Sequence, residues 1–405
     1  MRGDNRETHG PLHGIRIIDV SQILAGPSGS MLMGDLGAEI LKVESLNGDE
    51  TRKTPPYFYG EDSAYFWSVN RNKKSIALDL KSPEGLEVFY DLVAKADVVY
   101  DNFRPGVVER LKIDYENLKT RNPKIICCSI SSFGDTGPYR DRPGYDLIVQ
   151  AMSGGMSITG EPGGSFLRAG IPIGDIMGGM AAVQAILAAY IAREKTGKGQ
   201  RLEVSLLDTQ IYYLTYIAQY FFHSGKVPGP IGSGHQSHVP YQAFKTKDIQ
   251  IVIVAFQNNH FQQLCEAIEK PEWAKDPRFA TREGRLKNKS VLIRMMEDHL
   301  QTRKGDEWLE KIHRAGVPAG PINTLDRVFS DPQVLARDIV VEMEGTGGEK
   351  IKTIGHPFRM SETPLKTFTR PPRLGEHSRE VLANLLGYSK EKIETLEHEG
   401  VLKAT

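Results

Sequence analysis

A parallel α/β sheet with helices on both faces, followed by a smaller α+β domain, is the fold class this sequence predicts. Three observations carry that reading. Short, β-branched apolar runs alternate with longer helical stretches through the first half of the chain. Near residue 225 the texture turns Gly- and Pro-rich, then charged and helical. The composition, 40% hydrophobic and 25% charged over 405 residues, is that of a globular chain able to bury a large core.

Six runs read as strands: residues 15–20, 39–43, 75–80, 97–100, 124–130 and 202–206. Continuous apolarity within a run, as in Ile125-Ile126-Cys127-Cys128, fits strands covered on both faces. The stretches between them read as helices. Residues 83–96 open with Ser82 as cap and Pro83 at the first helical position. This gives a large Rossmann-like domain over residues 1–210. A small domain over 225–325 begins with a strand near 250–255 and continues in helices at 258–269, 290–301 and 306–315. Residues 331–405 have strand-turn texture, a Pro-rich stretch at 370–373 and a helix from about Ser378. They are expected to return to the large domain.

Charge and cysteine usage exclude several classes. Lys+Arg and Asp+Glu both number 51, and zero net charge argues against a general nucleic-acid binder, which needs a basic face to release counterions. Three cysteines, two of them adjacent (Cys127, Cys128 and Cys265), cannot build a disulfide framework and point to a reducing compartment. Residues 1–10 are polar and lack the apolar segment of a secretory leader. The longest apolar stretch, 177–191, falls short of the ~20 residues a bilayer crossing needs. A cytoplasmic protein with no membrane or nucleic-acid partner is expected.

Common cofactor signatures are missing. Gly197-Lys198-Gly199 lacks the upstream glycine and the Ser or Thr of a phosphate loop, and Gly232-Ser233-Gly234 lacks the third glycine of a dinucleotide fingerprint. His235 and His238 stand three apart, but no third ligand follows at a zinc spacing, so no metal is expected. No Gly-x-Ser-x-Gly elbow occurs. Cys127 and Cys128 fall in a predicted central strand, where thiols are inert. A Rossmann-like sheet without its glycine signature argues against a nicotinamide enzyme.

The informative stretch is residues 170–179, Gly-Ile-Pro-Ile-Gly-Asp-Ile-Met-Gly-Gly. Asp175 precedes a long, Ala-rich apolar helix. It lies at or near the N-terminus, where free N–H groups and the dipole favour a carboxylate. Two readings stand. Asp175 is a helix cap, the commoner use of such a residue, or it is a covalent nucleophile toward an activated acyl carbon. Glycines at 174, 178 and 179 make room for a ligand or another chain, which a cap does not need.

A series of short motifs runs in order along the chain. It includes Leu12-His13-Gly14-Ile15, Ala25-Gly26-Pro27, Gly34-Asp35-Leu36-Gly37-Ala38-Glu39 and Lys42-Val43-Glu44. Next come Asn70-Arg71-Asn72-Lys73-Lys74-Ser75, Asn102-Phe103-Arg104-Pro105-Gly106 and Arg142-Pro143-Gly144-Tyr145-Asp146. Thr159-Gly160-Glu161-Pro162, Gly174-Asp175 and Lys195-Thr196-Gly197-Lys198-Gly199-Gln200 follow. Gly316-Val317-Pro318-Ala319-Gly320-Pro321 and Leu374-Gly375-Glu376-His377 close the series. In this the chain resembles the family III CoA-transferases, the family of formyl-CoA transferase and carnitine CoA-transferase.

That resemblance implies that Asp175 attacks a donor thioester and carries first an anhydride and then a CoA thioester. It implies no permanently bound cofactor, with a CoA thioester as substrate. It also implies an interlocked dimer, of identical or related subunits, whose chains thread through one another. It places adenine near Asn102 and Phe103, with Leu78, Lys81, Arg110 and Leu111 around it, the pantetheine arm at Ile23, and Leu206 in the pocket lining. Lys81 and Arg110 suit phosphates and Phe103 offers a stacking face. Equally, the two cations read as solvated surface and the leucines as core. Asp146 matches a second carboxylate that orients a lid, relays a proton or caps a helix. Gly232 and Gly234 stand nearest to the glycine-rich lid of some relatives, or form a plain interdomain loop. Backbone N–H groups around Asp175 are the expected oxyanion donors. Two departures are visible: Ser45 stands where a relative carries Arg, and Pro143 where one carries Lys.

For the reaction, residues 239–248 and Pro321-Ile322-Asn323 resemble branches that move CoA between succinyl-CoA and another dicarboxylic acid: glutarate-like, mesaconate-like or an aryl-substituted succinate. Two alternatives are weighed. A 2-methylacyl-CoA racemase needs two bases and carries His where Tyr145 stands; a tyrosine, with an ordinary pKa near 10, is a poor base. A non-catalytic subunit of a heteromeric transferase does not need Asp175, which is present.

Overall fold

The structure is a computed structural model that describes residues 10–365 and 368–405. Its main sheet has six parallel strands: β1 (Arg16–Asp19), β2 (Glu39–Glu44), β3 (Lys73–Leu78), β4 (Val98–Asp101), β5 (Ile126–Ser131) and β6 (Arg201–Ser205). Each lies on one of the apolar runs, within two residues at either end. Their spatial order is β3-β2-β1-β4-β5-β6, and a short strand, Leu402–Lys403, pairs antiparallel to β3. The chain winds outward from β1 to β3, then starts β4 on the other side of β1. At that reversal the loops after β1 and β4 part, which leaves a crevice at the carboxyl ends of the strands.

The helices of this part are α1 (Ala25–Asp35), α2 (Ala64–Val69), α3 (Pro83–Val93), α4 (Val107–Arg110), α5 (Tyr115–Arg121), α6 (Asp146–Met152), α7 (Ile173–Thr196), α8 (Leu206–Tyr212) and α9 (Thr215–Ser224). Ser82 caps α3 by accepting from the Gly85 N–H, with Pro83 in the first turn. Alternate residues of β1 feed two cores. Ile18 joins Phe89, Leu92 and Val99 with Val381, Leu382, Ile393 and Leu396 of the C-terminal segment. Ile17 joins Met33, Val98, Ile126, Ala182, Val183 and Ile186 on the α1/α7 side.

α7 has 24 residues and is long and apolar enough to cross a membrane by length and composition, more than the run 177–191 suggested. Here it is a core helix on one side: Ala182, Val183, Ile186 and Ala189 are buried. It meets α1 glycine to glycine. A Cβ on Gly179 would fall 2.5 Å from the Ala25 carbonyl oxygen, and one on Gly29 would fall 2.9 Å from that of Gly179. Only at such a distance can the start of α1 lie directly against the second turn of α7.

Two compact units divide the chain. Residues 10–155 with Arg168–Gly225 and Asp338–Thr405 form the first; Met156–Leu167 and Lys226–Arg337 form the second. Residues 156–167, placed by sequence inside a large domain ending at 210, join the second unit instead. The Gly232 N–H donates to the Gly160 carbonyl there at 2.8 Å. The first unit runs on through α9. In the second unit a three-stranded antiparallel sheet (Tyr241–Lys245, Gln250–Val254, Ala319–Pro321) is covered by helices that bury Phe261, Leu264, Met296 and Trp308.

Candidate active site

The loop after β1 owes its shape to a polar layer beneath it. Asp19 accepts from the hydroxyls of Ser21 and Ser30 and from Lys73 Nζ at 3.1 Å. Lys42 Nζ donates to the Ser21 carbonyl at 2.9 Å and to Asp49 Oδ2 at 3.0 Å. Burial alone would raise the Asp19 carboxyl, but Lys73, Lys42 and the two hydroxyls outweigh it and hold it at about 2. Above this layer Ile23 adopts φ +69°, a left-handed conformation that is an outlier for a β-branched residue. Its neighbours are pinned in place. Asn102 Oδ1 accepts from the Gln22 N–H at 2.8 Å, and its Nδ2 donates to the Gln22 carbonyl at 2.7 Å. Asp49 Oδ1 accepts from the Ile23 N–H at 3.3 Å.

This loop and the one after β4 enclose a cavity of about 260 Å³ at the crevice. Ile23, Leu24, Ala25, Asn102, Phe103 and Arg104 line one part of it. Arg140, Arg142, Tyr145, Leu206 and Asp175 line the rest.

Asp175 is the third residue of α7, not its cap: the cap position is Pro172, without a side-chain hydrogen bond. The capping reading of Asp175 is therefore corrected, because Asp146 does that work. Asp146 Oδ1 accepts from the Gly174 N–H at 2.7 Å and the Asp175 N–H at 3.3 Å. Its Oδ2 accepts from Gln150 Nε2 at 2.6 Å, and Gln150 Oε1 accepts from the Ala169 N–H at 2.9 Å. The Asp175 side chain is left free of capping and faces the cavity. Burial, then the nearby charge of Asp146, push its carboxyl up to about 7.

The same contacts revise the oxyanion expectation. The amides of Gly174 and Asp175 are already bonded to Asp146, and that of Ile176 donates to the Pro172 carbonyl at 3.1 Å. Leu24 and Ala25, at the uncapped N-terminus of α1, line the cavity together with Asp175.

Of the other sequence-predicted residues, Ile23, Asn102, Phe103 and Leu206 line this cavity; Leu78, Lys81, Arg110 and Leu111 do not. Leu78 is core, Leu111 packs on the same cluster as Phe103, and Lys81 and Arg110 are exposed. Asn102 bonds Gln22 through both ends of its amide and so holds the loop at the cavity wall. Gly178 is where α7 admits Leu206: a Cβ there would lie 2.2 Å from Leu206 Cδ2. Gly232 and Gly234 lie in the second unit, the first at φ +63° beside Glu161 and the second beside Lys289. Ser45 is exposed, its hydroxyl 3.4 Å from the Gly48 carbonyl. Burial pushes the thiols of Cys127 and Cys128 far above the ordinary range.

Sequence reasoning missed four residues. Arg104, Arg140 and Arg142 bring cations to the cavity wall, and the Arg142 guanidinium sits 3.8 Å above the Tyr139 ring. Two of them open the Arg-Pro-Gly motifs at 104 and 142, a repeated signal that was in view. Tyr65, on α2, has its phenol pushed up to about 12 by burial and then by the charges of Asp175, Asp49 and Asp146, which places it within electrostatic reach of Asp175. No sequence pattern marks it.

Comparisons with known proteins cover nearly the whole chain. The pattern of CoA-transferase family III matches residues 12–378. The succinyl-CoA:glutarate CoA-transferase of Homo sapiens is 39% identical over 393 residues, covering 97% of this chain and 90% of that one. The succinate–glutarate CoA-transferase of Agrobacterium fabrum is 40% identical over 382 residues, 93% of this chain and 96% of that one. A solved CaiB/BaiF family protein from Brucella suis superposes with a TM-score of 0.85 at 39% identity, over 93% of this chain and all of that one. The match runs from the turn before β1, through both units, to the C-terminal segment, and on that extent the chain belongs to CoA-transferase family III.

Proposed function

We propose that this protein moves CoA from a dicarboxylic acyl-CoA donor, succinyl-CoA above all, to a second dicarboxylic acid of the glutarate class, with Asp175 as covalent carrier. The observation that carries the reading is the Asp175 carboxylate itself: on the cavity wall, released from capping by Asp146 and raised to about 7. A partly desolvated anion beside another anion gains by becoming a neutral ester-like group, so burial and repulsion both favour acylation.

The relay balances without a net proton. A carboxylate oxygen of Asp175 attacks the thioester carbonyl, and CoA leaves as thiolate with the formation of a mixed anhydride. The thiolate attacks the Asp175 carbonyl and expels the donor acid as its carboxylate, leaving an Asp175–CoA thioester. The acceptor carboxylate attacks that thioester, CoA leaves again, and a second anhydride forms. The thiolate then attacks the acceptor carbonyl and frees Asp175. Each addition needs donors for an oxyanion, and with the α7 amides engaged, the first-turn amides of α1 beside Ala25 are the fitting source. Arg104, Arg140 and Arg142 suit the phosphates or a free carboxylate of the substrates.

The protein acts as a homodimer in this reading. α9 buries none of its residues within the chain and exposes Tyr216, Tyr220, Phe221 and Phe222, an aromatic face suited to a second copy. The racemase reading has no support in the cavity, where Tyr145 stands as the matching side chain. The test is a panel of acids incubated with succinyl-CoA and read by mass spectrometry, with hydroxylamine added in parallel. New acyl-CoA products with glutarate, and a hydroxamate on the peptide bearing Asp175, are expected. Turnover without modification of that peptide sinks the covalent scheme.

A further inference from the structure

Behind the cavity wall, in the first unit, one buried polar atom has no partner among the described residues. Gln210, on α8, is 7% exposed. Its Oε1 accepts from the Ser153 hydroxyl at 3.0 Å. Its Nε2 is enclosed by the chain, and nothing described accepts from it. The nitrogen is pressed against the head of α7: a Cβ on Gly174 would lie 2.0 Å from Gln210 Nε2 and 2.9 Å from Asp146 Oδ1. The two atoms border the same point, and the glycine is what lets them do so. Leu206, one turn earlier on α8, meets Gly178 in the same way, so one ridge of α8 lies along the glycines of α7. The amide faces the way its chemistry requires. Turned over, it would set its carbonyl oxygen beside the Asp146 carboxylate, acceptor against acceptor.

Asp146 thus stands between two glutamines in different states. Gln150 donates to its Oδ2 and accepts from the Ala169 N–H, so both ends of that amide are bonded. Gln210 stands on the Oδ1 side with a donor in reserve, because Oδ1 already accepts from the amides of Gly174 at 2.7 Å and Asp175 at 3.3 Å. Both acceptor sites of that oxygen are then filled. An orphaned buried donor destabilises a fold, and an apolar side chain of the same size would carry no such penalty. Here the orphan sits beside the carboxylate that fixes the backbone of Asp175. The longer of the two bonds on Oδ1 comes from the Asp175 amide, which belongs to the residue whose side chain must reach the substrate. A donor waiting at Oδ1 can replace that bond when the first turn of α7 shifts, so that Asp146 keeps its partners throughout.

We propose that Gln210 is a positioning residue for Asp175: its Nε2 is the reserve donor that takes the place of the Asp175 amide on Asp146 Oδ1, and so steadies the head of α7 while the Asp175 carboxylate reacts. This rests on the reading of Asp175 as covalent carrier. Gln210→Met keeps the length of the side chain and removes the donor. Gln210→Glu keeps its shape and puts an acceptor in the donor's place, a third carboxylate beside Asp146 and Asp175. The test measures kcat and KM for succinyl-CoA, with glutarate as acceptor, beside the thermal midpoint of each variant, while wild-type protein is trapped with hydroxylamine in parallel. In Gln210→Met, kcat is expected to fall about tenfold, KM to stay within about twofold, and the midpoint to hold or rise because the orphaned donor is gone. Gln210→Glu is expected to lose at least as much kcat; where it fails to fold, Gln210→Met decides. A merely structural glutamine would instead show its loss in the midpoint. Unchanged kcat in Gln210→Met, a fall that comes with a lower midpoint or a higher KM, or a Gln210→Glu as active as the wild type overturns the inference. With the Asp175 hydroxamate present in the wild type, those outcomes sink the inference alone; without that hydroxamate, the carrier reading falls with it.

Discussion

The first unit holds two groups of aspartates, one fully buried and one half-buried, built in opposite ways. Under the β1 loop, Asp19 is surrounded by donors (Ser21, Ser30 and Lys73) and sinks to about 2. At the head of α7, burial and the charge of Asp146 raise Asp175 to about 7, with no cation among the described residues offsetting them. Asp19 is the more buried of the two and yet has the lower value, so neither residue type nor burial alone separates a structural carboxylate from a reactive one. What separates them is whether the fold satisfies the charge. The satisfied carboxylate holds a strained loop still. The unsatisfied one has a reason to react.

The largest effects test that division directly. Asp175→Ala is expected to lower CoA transfer by about 10⁴-fold or more while acyl-CoA binding persists. A steady-state assay beside an equilibrium binding measurement reads both, and retained turnover would break the comparison. Asp19→Ala is expected to act on stability, with a loss of about 3–5 kcal/mol in denaturant unfolding, since it strands Lys73 without its partner in the interior. A loss under about 1 kcal/mol would mean that the polar layer is not what holds the loop.

Helix approach comes next. Gly179→Ala drives a methyl group into the Ala25 carbonyl and Ser28, so α1 must move away from α7. A cost of about 1–3 kcal/mol is expected, together with slower transfer, because Ala25 and Asp175 line one cavity. Stability lost without any change in rate would separate helix packing from catalysis.

The acid limb of the pH profile sharpens the electrostatic half. Asp175 attacks in its ionised form, so kcat/KM is expected to climb as pH rises through about 7 and then level off. Stability runs the other way for this group. Its folded value exceeds the ordinary 3.8, so its contribution is complete below that value and fades as pH rises through about 7. Asp19, with a depressed value, contributes above its ordinary range and fades only as pH falls toward about 2. Asp146→Asn keeps an acceptor for the Gly174 and Asp175 amides but removes the charge, so the limb moves to lower pH. An unmoved limb would leave burial as the whole cause.

Much of this was legible in the sequence. The six β-branched runs are the six strands, because continuous apolarity and β-branching together leave few other solutions. Asp175 stood out because glycines flank it on both sides. What local pattern did not disclose was long-range partnership. Asp146 caps a helix whose first residues lie 28 and 29 positions away, and Asn102 serves a loop 80 positions upstream. No periodicity encodes such pairings. Resemblance gave Ile23, Asn102, Phe103 and Leu206, which line the cavity, and Leu78, Lys81, Arg110 and Leu111, which lie outside it; it did not single out Arg104, Arg140 and Arg142 on the same wall. Tyr65 is the plainest case: its link to Asp175 exists only once α2 is folded beside the sheet.

Ile23 offers the finest cut, where the two aspartate groups meet. The Asp19 layer fixes the loop, and the loop presents Ile23 to the cavity that holds Asp175. At φ +69° a β-branched side chain costs roughly 1–2 kcal/mol that glycine does not. Ile23→Gly removes that strain, gives up the partly buried side chain and frees the unfolded chain, terms of similar size and mixed sign. Net stability is therefore expected to change by less than about 1 kcal/mol, a small loss for deleting four carbons of an isoleucine. Transfer should suffer in KM for the acyl-CoA more than in kcat, because Asp175 keeps its place while one wall of the cavity is missing. If kcat falls and KM holds, the loop shapes the reacting geometry itself, and the polar layer under Asp19 belongs with catalysis rather than with the scaffold.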